Sequence, residues 1–240
     1  RGIGEAAARE LADDGYAVVL AARSADDIER IAAEIAESGG EALAVACDVA
    51  DYGAVAALVA EAASRFGAPN LVVNNAGVIN PIARLADSDP NDWSTVVDIN
   101  LKGVYNLIRA ALPAMVEEAN GTIINISSGA ANAPLEGWSH YCTTKAAVKM
   151  LTAMVQKEYG AQGIRSVGLS PGTVATKMQV DIKASGINPV SKLDPGAHIP
   201  PEWVGKAIVW LAGEGADGYL GEDFSLKTAE GRAAIGLPSV

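Results

Sequence analysis

Tyr16-Ala-Val-Val-Leu-Ala-Ala-Arg23 is an unbroken apolar run that ends in a cation. A helical pattern over Ile28 to Glu37 follows it, and then a second apolar run, Ala42-Leu-Ala-Val-Ala46. A strand with one wet face alternates apolar and polar residues. An unbroken run instead fits a strand covered on both faces, the condition of a parallel sheet with helices above and below. Ser24-Ala-Asp-Asp27 has the spacing of a capping box with Asp in the last place, and is expected to start the intervening helix. The unit reads as strand, helix, strand.

The same alternation continues outward. Leu71 to Val73, Thr122 to Ile126, Ile164 to Leu169 and a late run, Asp223 to Leu226, are further strand candidates, and Val55 to Phe66 is a further Ala-rich helix. Repetition of this unit builds a parallel sheet with right-handed crossovers. The expected fold is therefore α/β, a doubly wound parallel sheet (Rossmann fold), as a single domain over residues 1–240 with no linker and no internal repeat. Ser185 to Pro201 is rich in Gly and Pro and too long for an ordinary connection, so it is read as a lid or binding loop within the domain.

The start of the chain departs from the pattern. Arg1-Gly-Ile-Gly4 runs directly into a helix, Glu5 to Asp13. A dinucleotide fold places a hydrophobic strand and an earlier glycine before this point. The first strand is thus expected to be missing from the given sequence, and the 240 residues to be an N-terminally truncated piece of a longer chain. That strand would lie mid-sheet, and without it two neighbours lose hydrogen bonds and expose apolar surface.

Half of the residues are apolar, enough for one large core, and the formal charge is −11. So acidic a surface speaks against nucleic acid or an anionic membrane as the main partner. There is no apolar run long enough to span a bilayer, and no signal-peptide pattern. The two cysteines, Cys47 and Cys142, are too few for a disulfide framework at this size, which points to a reducing cytoplasm. His140 and His198 stand apart with no Cys/His cluster, so no metal site is expected.

Tyr141-Cys-Thr-Thr-Lys145 sets a phenol and an amine four positions apart at the start of a helical segment. Residues at i and i+4 share a helix face, and an ammonium beside a phenol favours the phenolate, lowering its pKa from about 10 toward the range of an acid/base catalyst. Ser128 lies thirteen residues upstream and Asn100 further back. Gly2 and Gly4 read either as a plain turn or as half of a glycine-rich turn that lets a pyrophosphate rest on a helix N-terminus. Arg23, nineteen residues after Gly4, ends the next strand where an arginine suits the 2′-phosphate of NADP and a carboxylate would suit NAD; it could also be a solvated strand-end charge. Two loops, Cys47-Asp-Val49 and Asn74-Asn-Ala-Gly77, fall at strand ends, where open α/β sheets hold ligands, although either could be turn chemistry alone.

Taken with Ser127-Ser128, Asn100-Leu-Lys-Gly103 and Pro171-Gly-Thr-Val-Ala-Thr176, these residues resemble the short-chain dehydrogenase/reductase family in its single-domain form, over nearly the whole chain. The resemblance implies roles. Tyr141 would be the general acid/base, Lys145 would depress its pKa and bond the nicotinamide ribose, and Ser128 would polarise the substrate carbonyl, leaving Ser127 structural. Asn100 would distort a helix and hold a water of the proton relay. Arg1, Gly2 and Ile3 belong to the glycine-rich turn; Asp48 and Val49 would contact the adenine; Asn75, Ala76 and Gly77 would line the adenosine and ribose side. Pro171, Gly172, Val174 and Thr176 would hold the nicotinamide amide and the nearby phosphate.

Arg1 and Arg23 favour NADP(H), with NAD(H) as the alternative. The implied activity is hydride transfer between that cofactor and a small-molecule carbonyl or secondary alcohol, by a homodimer or homotetramer. Gly221-Glu-Asp-Phe-Ser-Leu-Lys227 departs from the family's usual ending, which makes the tetramer less secure. Ser128, Tyr141 and Trp138 would face the substrate, Trp138 being open to a core reading as well. A catalytically silent dinucleotide-binding sensor or scaffold is the alternative function, and an isomerase or lyase that uses the nucleotide transiently is a third.

Overall fold

The computed structural model describes residues 1–238. Six parallel strands alternate with helices. They are β1 (Val18–Ala22), β2 (Ala42–Ala46), β3 (Leu71–Asn74), β4 (Gly121–Ile126), β5 (Ile164–Ser170) and β6 (Asp223–Ser225). The longer helices are α1 (Ile3–Asp13), α2 (Ala25–Glu37), α3 (Tyr52–Phe66), α4 (Pro90–Val97), α5 (Gly103–Glu117), α6 (Ser139–Tyr159), α7 (Lys177–Ser185), α8 (Pro201–Ala212) and α9 (Ala229–Ala234).

β4 explains why the sheet carries two layers of helix. Every one of its residues is buried, so each face must be covered. Ile124 and Ile126 join the core beneath α1, α2 and α8, while Ile123 points the other way into the core under α5 and α6. Asn125 shares the second face and is fully buried. Its amide is satisfied at both ends: it accepts from Asn74 Nδ2 at 2.8 Å and donates to Thr152 Oγ1 of α6 at 2.8 Å. Three polar side chains, Asn74, Asn125 and Thr152, thus lock β3, β4 and α6 together, and losing any one would leave a buried polar group short of a partner.

The sheet is not continuous. β1 pairs only with β2, and β3-β4-β5-β6 form a separate four-stranded sheet. β1 and β3 face each other across a cleft of about 950 Å³ lined by Val18, Leu20, Leu71 and Val73. The expected parallel α/β sheet is thus present in two parts, with β1 and β3 each left unpaired on one edge. The burial pattern follows: β1 is not uniformly buried, and β2 is an outer strand with no fully buried residue.

Other expectations also needed adjustment. Ser24 does sit at the N-cap of α2, yet its side chain makes no capping hydrogen bond, so the capping box is not formed. Asp51 and Asp89 supply the side-chain caps of α3 and α4. The expected loop over Ser185 to Pro201 is short helical turns, Pro189–Lys192 and Pro195–Ala197, capped by Asn188 and Asp194. Among the described residues no helix is long and apolar enough to cross a membrane, and none of the His, Cys, Asp and Glu cluster as metal ligands would.

Candidate active site

Tyr141 and Lys145 occupy the first turns of α6, and both are buried, at 8% and 6% exposure. The Lys145 ammonium lies 5.6 Å from the centre of the Tyr141 ring. It donates to the carbonyl of Ile126 at 2.6 Å, so the end of β4 fixes where the charge sits. Trp138 meets Tyr141 edge to face at 5.7 Å and is itself buried with Ile79, Ala130 and Ile182. Between the two readings of Trp138, packing against the phenol is the one this placement supports. His140 braces the same turn, since its Nδ1 accepts the Tyr141 N–H at 2.7 Å. The ring proton is thereby left on Nε2, which donates to the Pro81 carbonyl at 2.8 Å.

Burial dominates the electrostatics of the pair. It pushes the Tyr141 phenol up to about 12, with the Ser128 hydroxyl acting in the opposite direction. It pulls the Lys145 amine down to about 8, opposed by the charge of Asp223. The sequence reading expected the ammonium to lower the phenol's pKa. The structure corrects this: the phenolate's lost hydration is the larger effect.

Asn100 lies in a π-helical turn, Asp98–Lys102, between α4 and α5, and is fully buried. Its Oδ1 accepts the Val78 N–H and its Nδ2 donates to the Val78 carbonyl, both at 2.8 Å. The helix distortion expected at Asn100 is present, but the side chain is engaged in clamping the backbone after Asn75-Ala76-Gly77. A Cβ on Gly77 would stand 3.6 Å from Asn100 Oδ1 and 3.9 Å from Lys145 Nζ. That loop thus lies between the cleft and the Tyr141–Lys145 pair.

About half of the expected dinucleotide contacts line the cleft; Gly2, Ile3, Tyr141, Lys145, Pro171, Gly172, Val174 and Thr176 are not among its lining residues. Arg1, Gly4, Arg23, Asp48, Val49, Asn75, Ala76 and Gly77 all line it. Gly2 caps α1 with φ +63°, a left-handed conformation natural to glycine, and leaves the helix N-terminus without a side-chain cap. Its missing Cβ would lie 3.4 Å from Thr176 Cγ2, and that of Gly4 2.8 Å from Asn75 Nδ2, so the turn packs against both neighbouring loops. An uncapped helix N-terminus, an exposed arginine and small residues at strand ends fit a pyrophosphate-bearing nucleotide. Ile3 and Val174 pack in the core below α1 and α8. Pro171 is buried, and the backbone around Val174 is tied to Ile199: Ala175 N donates to its carbonyl at 2.9 Å, and its own N–H donates to Thr173 O at 3.0 Å.

Ser128 and Ser127 have different partners. Ser128 Oγ accepts the Ala130 N–H at 3.2 Å and acts on the phenol. Ser127 is buried and donates to Asp223 Oδ2 at 2.7 Å. Sequence reasoning missed Asp223 as a member of the site. The carboxylate reaches over Gly168 of β5, where a Cβ would collide with its Oδ1 at 1.8 Å. An acid beginning a buried strand run was the available signal.

The family model described as short chain dehydrogenase matches residues 1–186. A 3-oxoacyl-[acyl-carrier-protein] reductase of Synechocystis sp. is 34% identical over 229 residues, covering 94% of this chain and 91% of that protein. A reductase of the same name from Staphylococcus aureus is 38% identical over 183 residues, 74% of this chain and 72% of its own length. Among solved structures, a gluconate 5-dehydrogenase from Burkholderia cenocepacia in complex with NADP and tartrate superposes with a TM-score of 0.84 at 30% identity, covering 94% of this chain and 89% of that one. Fold and site define a Rossmann-type oxidoreductase. The chain belongs to the short-chain dehydrogenase family.

Proposed function

We propose that the protein transfers hydride between NADP(H) and a carbonyl or secondary alcohol, with Tyr141 as general acid/base. The observation that carries this reading is the buried Tyr141–Lys145 pair, with Lys145 beside Gly77, a residue of the cleft that Arg23 also lines. Arg23 favours a phosphorylated ribose, in keeping with the NADP named in the gluconate 5-dehydrogenase complex. The bound cofactor would supply the hydride. The chain's own residues would do the rest. Ser128 Oγ orients the carbonyl oxygen, and Tyr141 Oη gives it a proton in reduction or takes one in oxidation. Lys145, held cationic on the Ile126 carbonyl, offsets the charge left on the phenol. Asn100 keeps the Val78 segment in register with both.

Change in nicotinamide absorbance with a panel of ketones and alcohols tests the proposal. Turnover with NADPH or NADP⁺ is the expected result. Cofactor binding with no turnover of any compound would favour the silent sensor, and product rearrangement without net redox change would favour the isomerase. A cytoplasmic setting belongs to the same proposal, supported by Cys47 and Cys142 both being free thiols.

A further inference from the structure

Lys227 follows β6 and closes the stretch Gly221–Lys227, of which only Asp223 was given a part in the site above. Its side chain crosses the loop Pro171-Gly172. A Cβ on Gly172 would sit 2.8 Å from Lys227 Cγ, so the glycine, with φ +80°, leaves the room the lysine stem occupies. The ammonium ends 3.7 Å from where a Cβ would stand on Gly129, the residue after Ser128. Lys227 therefore spans from the loop assigned to the nicotinamide to the turn that carries the polarising serine.

The backbone beneath it is held firmly. Lys227 N donates to Ser225 Oγ at 3.2 Å, and its carbonyl accepts from Arg232 Nη1 at 3.0 Å. Arg232 is buried and also donates to the Leu226 carbonyl at 2.8 Å, while Leu226 N donates to Ser170 O at 3.1 Å. The side chain is exposed, and among the described residues its ammonium makes no salt bridge. A second cation closes the other end of the same turn, Lys149 Nζ donating to Asn132 Oδ1 at 2.6 Å. In a chain of formal charge −11, two lysines stand around one turn, neither in a salt bridge among the described residues, and Asp223 is the carboxylate that feels the charge of Lys149.

We propose that Lys227 binds a carboxylate of the substrate, so that the protein acts on short oxo acids or hydroxy acids. This deepens the redox reading of the same site and rests on it for the identity of the reacting group. The ammonium stands at the turn that follows Ser128, 3.7 Å from where a Cβ would stand on Gly129, so a carboxylate held there lies on the side of the serine proposed to meet the carbonyl. Lys227 acts by positioning the acid and takes no proton in the reaction.

The test pairs oxo acids with their methyl esters, assayed with NADPH in the wild type and in Lys227→Met and Lys227→Arg. A charge-assisted hydrogen bond to a carboxylate corresponds to about 10- to 100-fold in kcat/KM. The wild type is expected to favour the acid by that factor. Lys227→Met is expected to lose it through KM with kcat little changed and with the ester unaffected, and Lys227→Arg to recover most of it. Equal use of acid and ester, or equal loss of both in Lys227→Met, would overturn the proposal.

A second arm needs no turnover. Malonate, against chloride of matched ionic strength, is expected to raise the melting temperature of the wild type and of Tyr141→Phe, but not of Lys227→Met. Failure to stabilise the wild type would remove the anion site. Stabilisation that depends on Lys227, in a protein that reduces nothing in the panel, would instead preserve the anion site and defeat the redox reading.

Discussion

At the scale of residues, Tyr141 and Lys145 show burial working on two groups of opposite charge type. Both are shifted toward their neutral forms, the phenol to about 12 and the amine to about 8. Tyr141→Phe keeps the ring and its contact with Trp138 while removing the proton carrier. It is expected to bind cofactor nearly as well as the wild type and to lose about 10²- to 10⁴-fold in turnover. Parallel cofactor titration and rate measurement check both halves. Lys145 has the larger stability consequence. Its folded pKa lies below the unfolded 10.5, so between about pH 8 and 10.5 the unfolded chain holds more protons and stability rises with pH. Below about pH 8 the charged amine is buried at full cost. Lys145→Met is therefore expected to abolish turnover and yet to be more stable at neutral pH, by on the order of 1–3 kcal/mol. Its melting temperature should lack the wild-type rise between pH 8 and 10. A melting temperature below the wild type's at pH 7 would contradict this account.

At the scale of elements, the start of β6 acts on α6 beside the residue that follows β4. Asp223 reaches over Gly168, bonds Ser127, and holds the proton on Lys145. Its own carboxyl is pushed up by burial, with Ser127, Lys149 and Lys145 pulling it back. In the pH profile of kcat/KM, loss of the Lys145 proton is expected as a fall above about pH 8. Asp223→Asn keeps the shape and removes the charge, so that fall should move to lower pH; an unmoved limb would separate Asp223 from the lysine. Arg23, at the end of β1, offers a different test of an element's terminus. Arg23→Asp replaces a phosphate partner with a ribose-hydroxyl acceptor and should raise the NADH-to-NADPH rate ratio by about tenfold or more.

The whole molecule carries two surfaces that a single copy of the described chain does not cover. Tyr105, Met150 and Met154, on α5 and α6, are exposed large apolar residues. They support the expected homodimer or homotetramer, and Met150→Glu with Met154→Glu should lower the mass in solution to about that of one 24.5 kDa chain. The cleft between β1 and β3 is the other surface. Its rims are the unpaired edges of β1 and β3, and residues proposed to hold the nucleotide line it.

The amino-acid order by itself determined the local alternation: which runs become strands, that a phenol and an amine four apart share a helix face, and which strand ends carry small residues and an arginine. These depend on periodicity and on neighbours in the chain, and β2, for example, begins and ends where its apolar run does, at Ala42 and Ala46. Only the tertiary structure decided that Ser24 leaves α2 without a side-chain cap, that Asn100 spends its amide on Val78, and that Asp223 and Lys227 arrive beside residues nearly a hundred positions earlier. The same holds for the signs of the pKa shifts at Tyr141 and Lys145. Long-range proximity and desolvation are properties of the packed chain; sequence spacing carries no record of either.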